Sequence, residues 1–373
     1  IIGRFLGEVD FDPSPTVIKY LHSSRGNMFM AKYNNSGTLV WAKNAGGKRH
    51  DSGSDIAIDS FGNCFIIGNV LDEYHFGNKT FTSDDTDIFV AKYDTFGNIV
   101  FVEKVTCASI STLVGNGIAL DSSGAVFVTG FYEGKAFLGK FSLSDGSLID
   151  SVTFGSSGFW LNWENAWGMT SDGEFLYITG VSTPTAGDNQ VFVAKFDKNL
   201  KQQWIHYWGG SGTESARAIA VANGQVIVGG MTNSTQYASG GAYDMLVLRF
   251  DTTGNFLGYK TFGDSKDNEI RDLAVYNNKV YLSGTSGDNL FNGNVKNQTS
   301  FLVKTTIEDL TDIHEYPVQP SGNKVCYLSN GLLHFDMEKE GSFQVEIYDY
   351  MGRIVASIEK EFLPQGLQTI PIP

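Results

Sequence analysis

The feature that most constrains this chain is a motif that returns six times between residues 1 and 306. It reads Met28-Phe29-Met30-Ala31-Lys32-Tyr33, then Ile88-Phe89-Val90-Ala91-Lys92-Tyr93 and Ala136-Phe137-Leu138-Gly139-Lys140-Phe141. Further copies are Val191-Phe192-Val193-Ala194-Lys195-Phe196, Met245-Leu246-Val247-Leu248-Arg249-Phe250 and the shorter Phe301-Leu302-Val303-Lys304. A second element, an apolar run closed by glycine, keeps step at Gly3, Gly68, Gly130, Gly180, Gly230 and Gly284. Two interleaved elements in one register define a repeat architecture, in which each unit buries its faces on its neighbours.

Each period holds four strand-like runs. Ile56–Asp59 leads through Ser60-Phe61-Gly62-Asn63 to Cys64–Gly68, and Ile88–Tyr93 leads through Asp94-Thr95-Phe96-Gly97-Asn98 to Ile99–Val102. Asp or Asn followed by a glycine able to adopt positive φ is the chemistry of a short hairpin loop. The 43 glycines, only 8 prolines and 13% aromatic residues suit many short strands. No stretch carries the apolar stripe of an amphipathic helix, and without crossover helices a parallel sheet or TIM barrel is excluded. Four antiparallel strands per period make a β-propeller blade.

The expected fold is therefore all-β: a propeller of four-stranded blades over 1–306, a linker at 307–312 and a small β-sandwich over 313–373. First strands fall near 56, 118, 166, 218 and 273. The chain opens on a second strand and its repeats end on a third. Five to six blades are represented, six or seven are expected in the full ring, and the sandwich reads as short of its closing strand.

In a propeller, alternate connections emerge at opposite ends. The tight hairpins join strands one to two and three to four, so they share one face. The connections at 6–27, 71–86, 154–164, 182–189, 232–243 and 286–299 are long and unlike one another, and they share the other. Function on a rigid scaffold concentrates in such loops. On this variable face Trp160, Asn162 and Trp163 lie in one loop and Trp208 in the next, with His50 placed beside them. Exposed indoles next to Asn and Glu can stack on a sugar ring; the competing reading is a hydrophobic plug of the loop. Trp41 and Trp204 share one slot of the repeat and read as blade packing, while Trp167 falls inside a first strand and reads as core. The recurring lysines occur once per blade and cannot converge on one substrate. Their stems are expected to pack between blades, with each ammonium paired to a turn Asp.

The formal charge of −14 is spread along the chain, which argues against nucleic acid and against an anionic membrane surface. No apolar run is long enough to span a bilayer. Cys64, Cys107 and Cys326 are odd in number and lack metal-ligand spacing. The six histidines form no H-x-x-x-H pair, and no G-x-S-x-G or P-loop occurs. No cofactor is expected. Asp84, Asp85 and Asp87 cluster in a loop and form a calcium candidate, without the glycine and distal glutamate of an EF-hand. The function expected is non-enzymatic binding or scaffolding, with a glycan or protein as ligand. The alternative is a polysaccharide-active enzyme with carboxylates at the central channel.

Asp87 through Asn98, and Trp41 with Gly46-Gly47 repeated as Trp204 with Gly209-Gly210, resemble the bacterial β-propeller repeat family of SBBP type. Within that pattern Phe101 replaces the Trp, and the copy at Asp197-Lys198-Asn199-Leu200 lacks the turn glycine. The resemblance implies the propeller fold and supplies no catalytic residues. Tyr316-Pro317-Val318-Gln319-Pro320, with Val345-Glu346-Ile347-Tyr348-Asp349-Tyr350-Met351-Gly352-Arg353-Ile354-Val355, resembles the C-terminal sorting domain of Bacteroidota type IX secretion substrates. That second resemblance implies engagement with the secretion machinery and a secreted or outer-surface location.

Overall fold

The computed structural model describes residues 1–47, 52–105, 113–121, 125–155, 163–185, 188–238, 242–263, 266–286, 299–307 and 310, and strands between 326 and 371. The strands fall into six successive blade units. Blade I comprises β1 (Ile2–Asp10), β2 (Tyr20–Tyr33) and β3 (Leu39–Gly47), and blade II β4 (Ser52–Ile58), β5 (Cys64–Phe76), β6 (Lys79–Tyr93) and β7 (Ile99–Val105). Blade III comprises β8 (Leu113–Leu120), β9 (Ala125–Tyr132), β10 (Lys135–Ser142) and β11 (Leu148–Phe154). Blade IV comprises β12 (Trp163–Ser171), β13 (Phe175–Thr185), β14 (Asp188–Asp197) and β15 (Gln202–Trp208). Blade V comprises β16 (Glu214–Ala222), β17 (Gln225–Thr232), β18 (Asp244–Asp251) and β19 (Phe256–Phe262). Blade VI shows β20 (Asn268–Tyr276), β21 (Lys279–Ser286) and β22 (Thr299–Thr306). Within each blade the strands pair antiparallel in chain order, as in a propeller, and Gly46 and Gly47 of β3 pair in addition with His75 and Tyr74 of β5, joining blades I and II in one seven-stranded sheet. The five first strands are β4, β8, β12, β16 and β20.

Both faces of a blade are apolar because each is covered by a different neighbour. Ile66 of β5 packs toward Met28 and Met30 of blade I, whereas Phe65 and Ile67 pack toward Val126 and Phe137 of blade III. The same division recurs at every junction: Phe154 with Phe192, Tyr177 with Leu248, Val247 with Leu282. The last core runs past the third strand of blade VI. Ile307 and Leu310 are buried in it, so the propeller extends into the segment expected as linker.

The two repeated sequence elements meet across a strand pair. Each glycine of a second strand lies opposite the large residue of the third: Gly3 with Phe29, Gly68 with Phe89, Gly130 with Phe137, Gly180 with Phe192, Gly230 with Leu246 and Gly284 with Phe301. On its other side the glycine faces the first strand so closely that a Cβ at Gly180 would overlap the carbonyl oxygen of Asn165, and one at Gly230 that of Ser215.

The tight turns behave as their chemistry demands. Asp94 Oδ1 accepts the N–H groups of Phe96 (2.9 Å) and Asn98 (2.8 Å), and Gly97 takes the left-handed conformation. Hydrogen bonds from Asn98 hold the Asp94 carboxyl below the usual carboxylate range. In the copy without glycine the geometry survives: Leu200 itself adopts a φ of 60°, with its side chain buried in the III–IV core. Because these aspartates are engaged by their own turns, the repeated lysines bond elsewhere. Lys32, Lys92, Lys140 and Lys195 donate to backbone carbonyls of the next blade's 3–4 turn, namely Thr95, Leu143, Lys198 and Thr252. The inter-blade position is as expected, and the partner is a carbonyl rather than an Asp side chain. Arg249 turns to Gln225 of its own blade instead, and the next unit shows no 3–4 turn among the described residues.

Trp41, Phe101 and Trp204 share one register position, opposite Lys32, Lys92 and Lys195. Each ring lies beside the left-handed glycine of the following blade's turn: Gly97, Gly146 and Gly254. The two indoles are half-buried, since this slot sits at the hairpin end of the sheets rather than deep between them.

Three of the six connections expected as long loops carry strand, and 156–162 and 287–298 lie outside the described residues. β5 and β6 continue as a paired hairpin through Phe76 and Lys79, β1 and β2 pair out to Asp10 and Tyr20, and Thr185 pairs with Asp188. Blade III closes its 2–3 connection with the two-residue turn Glu133-Gly134. C-terminal to the propeller, β23 (Cys326–Ser329), β24 (Leu332–Met337) and β27 (Gly366–Pro371) form one sheet. A second, two-stranded sheet pairs β25 (Gly341–Tyr348) with β26 (Ile354–Leu363).

Candidate functional site

The first strands pack against one another from blade to blade, as strands around a central channel must. All five carry the same irregularity: pairing to the second strand slips by one residue, leaving Ser54, Asn116, Trp167, Arg217 and Arg271 as bulge residues. A bulge bends its strand and re-aims a side chain. Here the re-aimed groups stitch neighbouring blades. Asn116 Nδ2 donates to Asn165 Oδ1 (2.9 Å) and to the Ala166 carbonyl (2.8 Å). The guanidinium of Arg217 lies 4.2 Å over the Trp167 ring, and its Nε donates to Glu269 Oε1 at 2.8 Å. Arg271 reaches the other oxygen of Glu269 at 2.9 Å.

Asp55 and Asp272 follow the bulges of blades II and VI. Burial raises the Asp55 carboxyl to about 6, against hydrogen bonds from the Ile118 and Ile56 amides, and the Asp272 charge adds to the rise. Burial also raises Asp272. The Asp272 charge of blade VI is thus felt at Asp55 of blade II.

Three residues before the bulges of blades IV, V and VI, where the 4–1 connection delivers the chain into the first strand, stand Glu164, Glu214 and Asn268, all buried. Glu214 Oε1 accepts from Thr232 Oγ1 (2.6 Å) and Ser234 Oγ (2.5 Å), and Oε2 from the Gly210 amide (2.8 Å). Glu164 Oε1 accepts from Tyr207 OH (2.9 Å) and Ser182 Oγ (3.2 Å). Burial, with the Glu164 charge beside it, raises the Tyr207 phenol. Gly155 and Gly209, closing the previous fourth strands, lie so near these carboxylates that a Cβ would press on them. Gly209-Gly210 is thus a seat for the buried Glu214 of the next blade, and Gly155 plays the same part for Glu164.

Over this end lies an aromatic wall. Trp208 stacks on Tyr237 (centroids 4.5 Å apart), Tyr259 is 5.3 Å from Trp208 and 5.1 Å from Tyr237, and Tyr259 is 44% exposed. Thr261 Oγ1 donates to the Tyr237 carbonyl at 2.7 Å and ties the 2–3 connection of blade V to β19.

Of the residues singled out from sequence, Trp208 takes part in this wall. Trp163 opens β12 opposite Thr183. His50, Trp160 and Asn162 lie outside the described residues, as does the side chain of Trp163. Trp167 belongs to a first strand as expected, but as a half-buried bulge residue rather than core. Asp84 and Asp85 fall within β6 rather than in a loop, and Asp87 is buried with its carboxylate 3.2 Å from Lys104 Nζ. Cys64 packs as a small apolar residue in the I–II core. Among the described residues no group of three His, Cys, Asp or Glu is placed to hold a metal, and no helix is long and apolar enough to cross a membrane. The buried glutamates and the bulge arginines were not singled out from the sequence, although aligning the copies on Gly180 and Gly230 places Glu164 and Glu214 in one slot.

No family model matches the chain. The regulatory protein FlaEY of Caulobacter vibrioides is 26% identical over 287 residues, 72% of this chain and 26% of that protein. The chain therefore spans about a quarter of that relative's length. Among solved structures, the Dos1 propeller aligns with 89% of this chain and 83% of its own at 12% identity and a TM-score of 0.44. The GH43 β-1,3-galactosidase aligns over 69% and 89% at 12% identity and a TM-score of 0.38.

Proposed function

We propose that this chain is a binding module of a secreted or surface-held protein, recognising a glycan or a protein through the connection-bearing end of its propeller. The supporting observation is the wall of Trp208, Tyr237 and Tyr259, an aromatic surface with polar tips built from the 2–3 connection of blade V and the fourth strands β15 and β19. The acids at this end favour binding over hydrolysis, because Glu164 and Glu214 are buried and engaged in hydrogen bonds. The rival reading, a polysaccharide-active enzyme, draws on Asp55 and Asp272, two acids carried at equivalent positions on the first strands of blades II and VI. Screening the whole chain against immobilised polysaccharides and surface proteins distinguishes them. Tyr259→Ala is expected to weaken retention of the ligand about tenfold, the worth of one aromatic contact, with the unfolding midpoint nearly unchanged. Retention indifferent to Tyr259→Ala and Tyr237→Ala would discard the wall as the site. A polysaccharide shortened rather than held, with shortening lost in Asp272→Asn, selects the enzyme.

The location rests on the resemblance of residues 313–373 to a sorting domain. Deleting them from the full-length protein is expected to leave a folded propeller held in the periplasm. Unchanged arrival in the medium or on the surface overturns this half of the reading.

A further inference from the structure

Arg217 and Arg271 stand at equivalent bulge positions on adjacent first strands, and both direct Nε to the carboxylate of Glu269. Glu269 is 2% exposed, while the two arginine side chains keep 27% and 39% of their surface. One arginine is enough to pair with the Glu269 carboxylate, so the second guanidinium is available to a further anion. A guanidinium carries five N–H groups. Among the described residues Arg217 Nε hydrogen-bonds Glu269, Arg271 Nε is ion-paired with it without a hydrogen bond, and the Nη groups make none. Arg217 is also fixed from below by the Trp167 ring, whose own Nε1–H is buried with no partner among the described residues. Neither Asp55 nor Asp272 forms an ion pair with these arginines; their hydrogen bonds come from the Ile56, Ile118 and Leu273 amides.

The geometry points to an oxyanion-binding site at the mouth of the central channel, in which Arg217 and Arg271 together grip a carboxylate, sulfate or phosphate group. Paired planar forks match such groups bidentately, and anchoring at Nε removes much of the ordering cost. The site is separate from the aromatic wall and stands whether or not the wall binds a ligand.

Isothermal titration of the whole chain with sodium sulfate, sodium phosphate and galacturonate at constant ionic strength tests it. Saturable binding of at least one of them is expected, weakened about tenfold by Arg271→Lys, which keeps a charge beside Glu269 but loses the planar fork. The unfolding midpoint of Arg271→Lys without anion checks that its fold is intact. Tighter binding of galacturonate than of sulfate assigns the group to an acidic sugar, and the reverse order assigns it to a free anion; either order retains the site. No saturation by any of the three up to about 10 mM, or binding undiminished in a folded Arg271→Lys, overturns it.

Discussion

Replacing Gly180 by alanine is expected to destabilise the chain by at least about 3 kcal/mol, the upper range for overpacking a closed interior. The cause is the backbone. Gly180 lies between Ala166 of β12 and Phe192 of β14, and the bulge at Trp167 brings the Asn165 carbonyl into the volume a Cβ would fill. A flexible side chain could yield there, but a carbonyl of a paired strand cannot without breaking its ladder. Phe192, fully buried, closes the other side. Gly230→Ala should behave alike, since the Ser215 carbonyl occupies the same place in blade V. Gly173→Ala is the control: it sits in an open turn with nothing near its missing Cβ. Its φ of 92° costs an alanine about 1 kcal/mol. Chemical denaturation of the three variants checks this. Equal losses at Gly173 and Gly180 would show that positive φ, not close approach, governs the conserved slot of the repeat.

That slot also shows what the sequence made legible. Glycine and phenylalanine repeat in step because they face each other across one strand pair, so the period, the strand order and the hairpin chemistry all follow from them. What stayed hidden depends on one extra residue per first strand. A bulge leaves no mark in an alternating pattern, and Arg217 and Arg271 read as ordinary polar positions until their strands bend toward Glu269. The glutamates of the 4–1 junctions were hidden differently, since the glycine that seats Glu214 belongs to the previous blade. The segment 71–86 reads in the sequence as a long connection unlike its counterparts. The stacking of Tyr74 on Phe81, with ring centroids 5.4 Å apart, and the pairing of Tyr74 with Gly47 hold it as strand instead. Cross-blade partners cannot be read from any one repeat.

The aromatic slot of the fourth strand separates ring volume from hydrogen bonding, because one of its two indoles donates Nε1 to the next blade and the other does not. Trp204 packs near Tyr177 (6.2 Å between centroids) and Phe250 (6.5 Å), beside Gly254. Its Nε1 is buried and makes no hydrogen bond among the described residues. Trp41 in the same slot donates Nε1 to the Thr95 carbonyl at 3.1 Å. The Thr95 carbonyl accepts from both Trp41 and the Lys32 ammonium, whereas the equivalent Thr252 carbonyl takes the Lys195 ammonium, at 2.8 Å, without the indole. Trp204→Ala removes the ring from a blade junction and is expected to cost about 3 kcal/mol, the lower end for a large aromatic because the residue is half-buried. Trp204→Phe should cost well under that, since a phenyl ring fills this slot at Phe101 and no hydrogen bond is lost. Trp41→Phe should lose about 1 kcal/mol more than Trp204→Phe, the net worth of one hydrogen bond. Denaturant midpoints of the three variants decide the matter. If both Trp→Phe changes cost the same, the Thr95 bond contributes nothing and ring packing alone joins these blades.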